Sequence, residues 1–343
     1  MPLKQLPLFL LLTALIVSSC SSDDDMGQVP QDGLEKDRFA LIVNEGGFQQ
    51  ANATMGLYDR NEFNFQDSFF IQIAQAPLGD IFQSMYLHGD LAYLVVNNSG
   101  TIEVVNLNTA EHLGTITGLH SPRFIEISGS LGYVTNLFTN EIQVVDLNTL
   151  EVIDQIPFPG WSEQLLWLDD QLLISCSNCD FAYLLNPANG EIADSVFVTE
   201  NTAFLEALPN GNIVAMSSGS FDGSQQPSIS LISSDLEILD TRTIDTDNFI
   251  DAISTDNNGQ RLYFADGGVY SIDFVANSLG DPQSFIDTED TGIYQISVSP
   301  QGELFITNAR DFSGRGEILL FDSNGNKIIE FEAGILPSRV YFY

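Results

Sequence analysis

Three carboxylates recur at one place in a repeating pattern: Glu126, Glu206 and Asp251 each stand two residues after a phenylalanine, Phe124, Phe204 or Phe249. The other copies carry Ser84, Leu166, Gln295 and Tyr341 at the aligned position. Acids on the innermost strands of a ring could hold Ca²⁺, a hard cation that takes about six to eight oxygens. They could equally line a wet channel, each solvated or accepting a backbone N–H. The second reading is the expectation, so neither a metal nor any other cofactor is expected; Glu126, Glu206 and Asp251 are the residues a metal would use.

Cations are scarce, which makes their placement informative. The chain has 11 Lys and Arg against 47 Asp and Glu, a formal net charge of −36. Phosphate binding runs on Lys and Arg, so this balance argues against nucleic acid or an anionic membrane surface as a partner. Arg123, Arg310, Arg315 and Arg339 all fall in connections assigned below to one face of the fold. The Arg fork bonds carboxylate or phosphate oxygens in pairs, which suits a ligand bearing such groups. Alternatively each offsets a neighbouring acid.

Cys176 and Cys179 form a CxxC. Zinc would need a second ligand pair that His88, His112 and His120 do not supply at any useful spacing, and the βαβ context of redox CxxC proteins is absent. A local disulfide or two inert thiols are the remaining readings. Neither a GxSxG elbow nor an HExxH motif occurs, and the three histidines share no repeat position. An enzyme is not expected.

The elements that must position these residues are strands. Helical periodicity is nearly absent beyond the N-terminus, whereas short alternating strands separated by Asn, Asp, Gly and Ser turns recur throughout. A unit of roughly 40 residues repeats, the period of propeller blades. Its clearest copies start at Phe82 and Phe124, and others near Gln164, Phe204, Phe249 and Ile293. Each splits into an inner A strand, an apolar B such as Gly132 to Thr135, a C such as Ile142 to Asp146, and an outer D such as Val152 to Ile156. Asn108-Thr109 and Asn148-Thr149 mark C-to-D turns, where Asn tolerates a left-handed conformation. The domain, 37–343, opens on a B-type strand at Phe39 and closes on an A-type strand, Arg339 to Tyr343. The expectation is an all-β, seven-bladed β-propeller in which the last strand completes blade one, leaving no open edge.

Loops joining D to A and B to C then surround one mouth of the central channel, the default binding face. The aligned ends of the B strands place Asn44, Asn97, Asn136, Cys176, Ser217, Asp266 and Asn308 there, with blade two open to a one-residue shift that would flip its side chain. These groups either satisfy turn backbone or bond a polar ligand. Long B-to-C loops add Phe48 and Gln49, Phe221, and Phe312, and a D-to-A loop adds Trp161; exposed aromatics of this kind anchor ligands or pin their own loops. The ligand-binding candidates are therefore Phe48, Gln49, Asn97, Arg123, Asn136, Trp161, Phe221, Asp266, Asn308, Arg310, Phe312, Arg315 and Arg339.

Residues 1–19 read as a signal peptide, with Lys4 ahead of an apolar run from Leu8 to Val17. Val17-Ser18-Ser19-Cys20 matches the lipobox, so Cys20 is expected to become the lipid-bearing first residue, with 20–36 as a flexible linker.

Gly132-Tyr133-Val134-Thr135-Asn136, followed by Ile142 to Asp146, resembles the YVTN family of β-propeller repeats. Ser21-Ser22-Asp23-Asp24-Asp25 resembles the acidic tag that sends lipoproteins of Bacteroidota to the outer face of the outer membrane. Asn44-Glu45-Gly46, Pro77-Leu78-Gly79-Asp80 with Gln83-Ser84-Met85, and Val95 to Gly100 resemble surface lipoprotein propellers of that phylum, some of which capture cobalamin for a TonB-dependent transporter. The resemblance implies a lipid-anchored, outer-membrane, surface-exposed propeller that captures a small polar or anionic nutrient, a corrinoid among the options, and passes it to such a transporter. The rival readings are a metal-dependent lactonase or hydrolase using Glu126, Glu206 and Asp251, and a protein-binding scaffold or adhesin.

Overall fold

The computed structural model describes residues 33–199, 201–220, 222–288 and 292–343. The signal peptide, Cys20, the linker up to residue 32, and Phe221 lie outside the described residues. The rest forms seven small antiparallel sheets, the blades of a seven-bladed β-propeller. Blade three shows the plan: A Pro122–Ser128, B Leu131–Asn136, C Glu141–Asp146 and D Glu151–Pro157, paired in that order. Strands B and C are buried on both faces, because each blade packs against a neighbour on either side, whereas D is largely exposed.

The core is thus a set of layers between blades. Tyr93, Val95 and Ile102 of blade two meet Ile125, Ile127 and Val134 of blade three in one such layer. Each side chain buried in this way stabilises the fold by roughly 1.5–3 kcal/mol. The 40-residue period is set by the C-to-D turns. Ala110, Leu150 and Gly190 occupy the left-handed region at equivalent places. Asn106, Asp146 and Asn186 secure these turns by accepting the N–H of Thr109, Asn148 and Ala188. The left-handed residue is therefore not the Asn expected from sequence; a side-chain acceptor at the end of strand C lets an ordinary residue adopt that conformation.

Blade one is closed by the C-terminal strand, Pro337–Phe342, which pairs with Phe39–Asn44 as its A strand. A helix at Phe69–Ala74, in the connection to blade two, buries Phe69 and Phe70 in the layer between those blades. Blade six is the irregular one: its A strand is only Ile253–Thr255, so Asp251 precedes it. Residues 33–36 pack on the propeller. Leu34 is buried in the blade one–two layer and donates its N–H to Leu107 O at 2.8 Å, and Lys36 pairs with Asp90 at 2.8 Å. Both contacts lie on the turns opposite the mouth.

Candidate functional site

The A strands do not alternate cleanly to their ends. In blades one to five and seven the A–B pairing slips at the mouth end, as between Phe82 and Ser84, Pro122 and Ile125, or Ile293 and Gln295. Such bulges re-aim side chains. Gln83, Arg123, Glu163, Tyr294 and Ser338, next to residues that already face the channel, are turned into it as well.

The channel is divided. A mouth chamber of about 340 Å³ and a lower chamber of about 570 Å³ share Phe124, Phe204, Ile253 and Arg339, which form a waist between them. The seven aligned A-strand positions consequently fall on two levels rather than one ring. Glu126, Glu206 and Tyr341 pair with Tyr133, Val214 and Leu41, each three residues before the end of its B strand; Ser84 and Gln295 pair one residue before the end. A slip of two residues keeps the face and changes the depth. Glu126, Glu206, Tyr341 and Ser84 line the lower chamber, and Gln295 and Asp251 the mouth chamber. Among the described residues no three His, Cys, Asp or Glu side chains are grouped to hold a metal.

Within the mouth chamber, Arg123 is spent on its neighbours: its Nε donates to Glu163 at 2.8 Å and its Nη1 to Gln83. Glu45 accepts a hydrogen bond from Tyr294 Oη at 3.1 Å. Burial pushes the Glu45 carboxyl above its ordinary value, partly offset by Tyr294, Ser338 and the two arginines. Burial likewise raises Tyr294, and the adjoining Glu45 raises it further. Asp251 is open to channel water yet encircled by protein, so its carboxyl is raised by desolvation against the pull of Arg339. The Arg339 guanidinium lies over the Phe124 ring at 5.2 Å. In the lower chamber burial pushes Glu126 up to about 7, opposed by hydrogen bonds from Tyr86 and the Ile127 N–H.

The chamber brings together Phe48, Asn97, Arg123 and Arg339 of the sequence candidates. Asn97 lies one residue beyond its B strand and donates to Pro122 O at 2.9 Å. Asn136 and Asn308 are buried; Asn136 donates to Val134 O and Glu141 O, and Asn308 to Glu317 while accepting the Arg310 N–H. They serve the turn, not the chamber. Asp266 accepts from Thr246 and Asn248. Arg310 pairs with Glu317, and Arg315 with Glu332 at 2.7 Å and Asp67 at 2.9 Å, so both offset acids of blades seven and one. Gln49 is an exposed loop residue whose N–H is held by Asp80. Phe312 packs edge-on over Tyr294, and Trp161 over Phe138, both on the rim. Cys176 and Cys179 are joined as a disulfide beside Gly160, in the loop that receives Trp161 N–H on Asn178. Sequence reading missed Gln83, Glu163 and Tyr294 because strict alternation turns the bulged residues away from the channel, and Glu45 because it lies past the end of its B strand.

A propeller with a two-chambered channel and a charged mouth is the class that fold and site define. The chain belongs to the family described as Domain of unknown function (DUF5074), whose model matches residues 39–342. No curated protein matches it in sequence. Among solved structures it is similar to a candidate 6-phosphogluconolactonase from Bacteroides fragilis, with TM-score 0.69, 15% identity, and 90% of this chain and 98% of that one covered. A quinoprotein alcohol dehydrogenase-like protein from Bacteroides thetaiotaomicron gives 0.66 at 14% identity, covering 90% and 78%. A protein from Lactobacillus plantarum gives 0.68 at 13%, covering 89% and 99%. At these identities the likeness carries the fold alone.

Proposed function

We propose that this propeller is a ligand-capture protein whose mouth chamber takes a small polar molecule through an acidic group. The observation that carries this reading is Arg339. Ten Lys and Arg lie in the described residues, and Arg339 is the one without a salt bridge to a carboxylate. A free guanidinium at the floor of a cavity, stacked on an aromatic ring, offers a ready fork for carboxylate or phosphate oxygens. Phe48, 65% exposed at the rim, supplies an apolar contact. The volume is near the lower end of small-molecule sites, about 300–1,000 Å³. It favours a ligand much smaller than a corrinoid, which would have to rest on the rim aromatics.

The lipobox at Cys20 and the acidic run after it support placing the protein on the cell surface by a lipid anchor, delivering its ligand to a TonB-dependent outer-membrane transporter. A lactonase would have to gather its acids, but Glu126 and Glu206 lie below the waist and Asp251 above it. Calorimetry against small carboxylates, phosphorylated sugars, corrinoids, chelated iron and glycans tests the capture reading. Binding to at least one, weakened about tenfold or more by Arg339→Ala, is expected; no binding of any probe at millimolar concentration overturns it.

A further inference from the structure

The mouth chamber does not hold one kind of unpaired charge but two. Arg339 has no carboxylate oxygen within 4.0 Å among the described residues, and Asp251, which lines the same cavity, has no cation within that distance. The two side chains are carried by different blades. Arg339 sits on the closing A strand with its guanidinium over Phe124, and Asp251 is fixed just ahead of the blade-six A strand by Gln295 Nε2, which donates to its carbonyl at 2.9 Å. Glu45 is less available, since Tyr294 already donates to it. The remaining charged pair, Arg123 and Glu163, neutralises itself.

Opposite charges held apart in a partly desolvated cavity each carry a cost that a ligand could relieve. A simple anion would satisfy Arg339 and face Asp251 and Glu45. A simple cation would satisfy Asp251 and face Arg339. The same lining carries apolar surface from Phe48, Ile81, Phe204 and Met216 beside its polar groups. On the reading of the mouth chamber as the ligand site, we infer that it takes a carboxylate–ammonium zwitterion with an apolar side chain, a free amino acid or short peptide. Its carboxylate lies on the Arg339 fork, its ammonium on Asp251, and its side chain on the phenylalanine wall.

Three matched probes test this by calorimetry on the full domain: L-phenylalanine, phenethylamine, which lacks the carboxylate, and 3-phenylpropionate, which lacks the ammonium. L-Phenylalanine should bind about tenfold or more tightly than either analogue, the effect of one charge-assisted contact. Arg339→Gln should reduce its affinity to that of phenethylamine, and Asp251→Asn to that of 3-phenylpropionate. Thermal melts of both variants check that the ring is intact. If 3-phenylpropionate binds as tightly as L-phenylalanine and Asp251→Asn changes nothing, the zwitterion is overturned while capture of an anion stands. Failure of all three probes also overturns it; binding of another small molecule would then leave the capture reading standing, and binding of none would remove both.

Discussion

The two chambers of the channel are built from the same A strands, a few residues apart, and differ in what they can do. The lower chamber holds Glu126 and Glu206, each hydrogen-bonded within the protein, to Tyr86 and Thr255. It is acidic and internally satisfied. The mouth chamber holds cations as well as acids, and three of its charges, Glu45, Asp251 and Arg339, lack ion partners, Glu45 being hydrogen-bonded by Tyr294 instead. Strand register makes the difference, because the bulges at the mouth end of blades one to five and seven turn additional side chains inward. Repetition therefore sets the frame of this molecule, and departures from repetition make its site.

Variants on either side of the waist can break that contrast. The largest effect is expected from Arg123→Ala. Glu163, 5% exposed, would be left as a buried charge without its partner, costing about 3 kcal/mol of stability in urea denaturation. A cost below about 1 kcal/mol, the value of an exposed pair, would show that the mouth is wetter than its geometry indicates.

Next is the pH dependence below the waist. In the folded protein Glu126 titrates at about 7, raised by burial from an ordinary 4.5. Between these values the folded state binds more protons than the unfolded chain, so this contribution to stability is full below pH 4.5 and is lost as pH rises through 7. At about 1.4 kcal/mol per unit, with screening by channel water, the total is at most about 3 kcal/mol. Glu126→Gln should thus gain on the parent protein as melts are moved from pH 5 to pH 8, without altering affinity for a mouth ligand. A change in that affinity matching the one from Arg339→Ala would erase the division into two chambers.

The smallest effect belongs to Tyr341, half-buried below the waist, whose Oη accepts the Met85 N–H at 3.1 Å. Tyr341→Phe leaves that donor unmet and should cost about 1 kcal/mol, read as a shift in urea midpoint with ligand affinity unchanged.

Much of the fold was legible because blade turns and apolar strands are local signals. Asn106, Asp146 and Asn186 recur every 40 residues, and the unpartnered B strand at Phe39 called for a closing A strand. The site was less legible. Arg310 and Arg315 look like ligand-binding residues until Glu332 and Asp67 are brought beside them, one from the next strand out and one from the neighbouring blade. Asp251 aligned with Glu126 by its distance from a phenylalanine, yet the short A strand of blade six leaves it nearer the mouth. Alignment by spacing gives the face of a strand reliably, but not depth along the channel when bulges intervene.

The segment at residues 33–38 has a mechanical consequence. Leu34 is hydrogen-bonded to blade two, the Asp37 N–H to the carbonyl of Tyr343, and Arg38 to Asp59 of blade one. A pull applied through the N-terminus loads these clips in series before it reaches the strand at Phe39, the one whose loss would unzip the ring. The seam where the two ends of the chain meet is loaded only through these contacts, one of which, Asp37 to Tyr343, grips the closing end itself. It can be tugged from below while the mouth above keeps its shape.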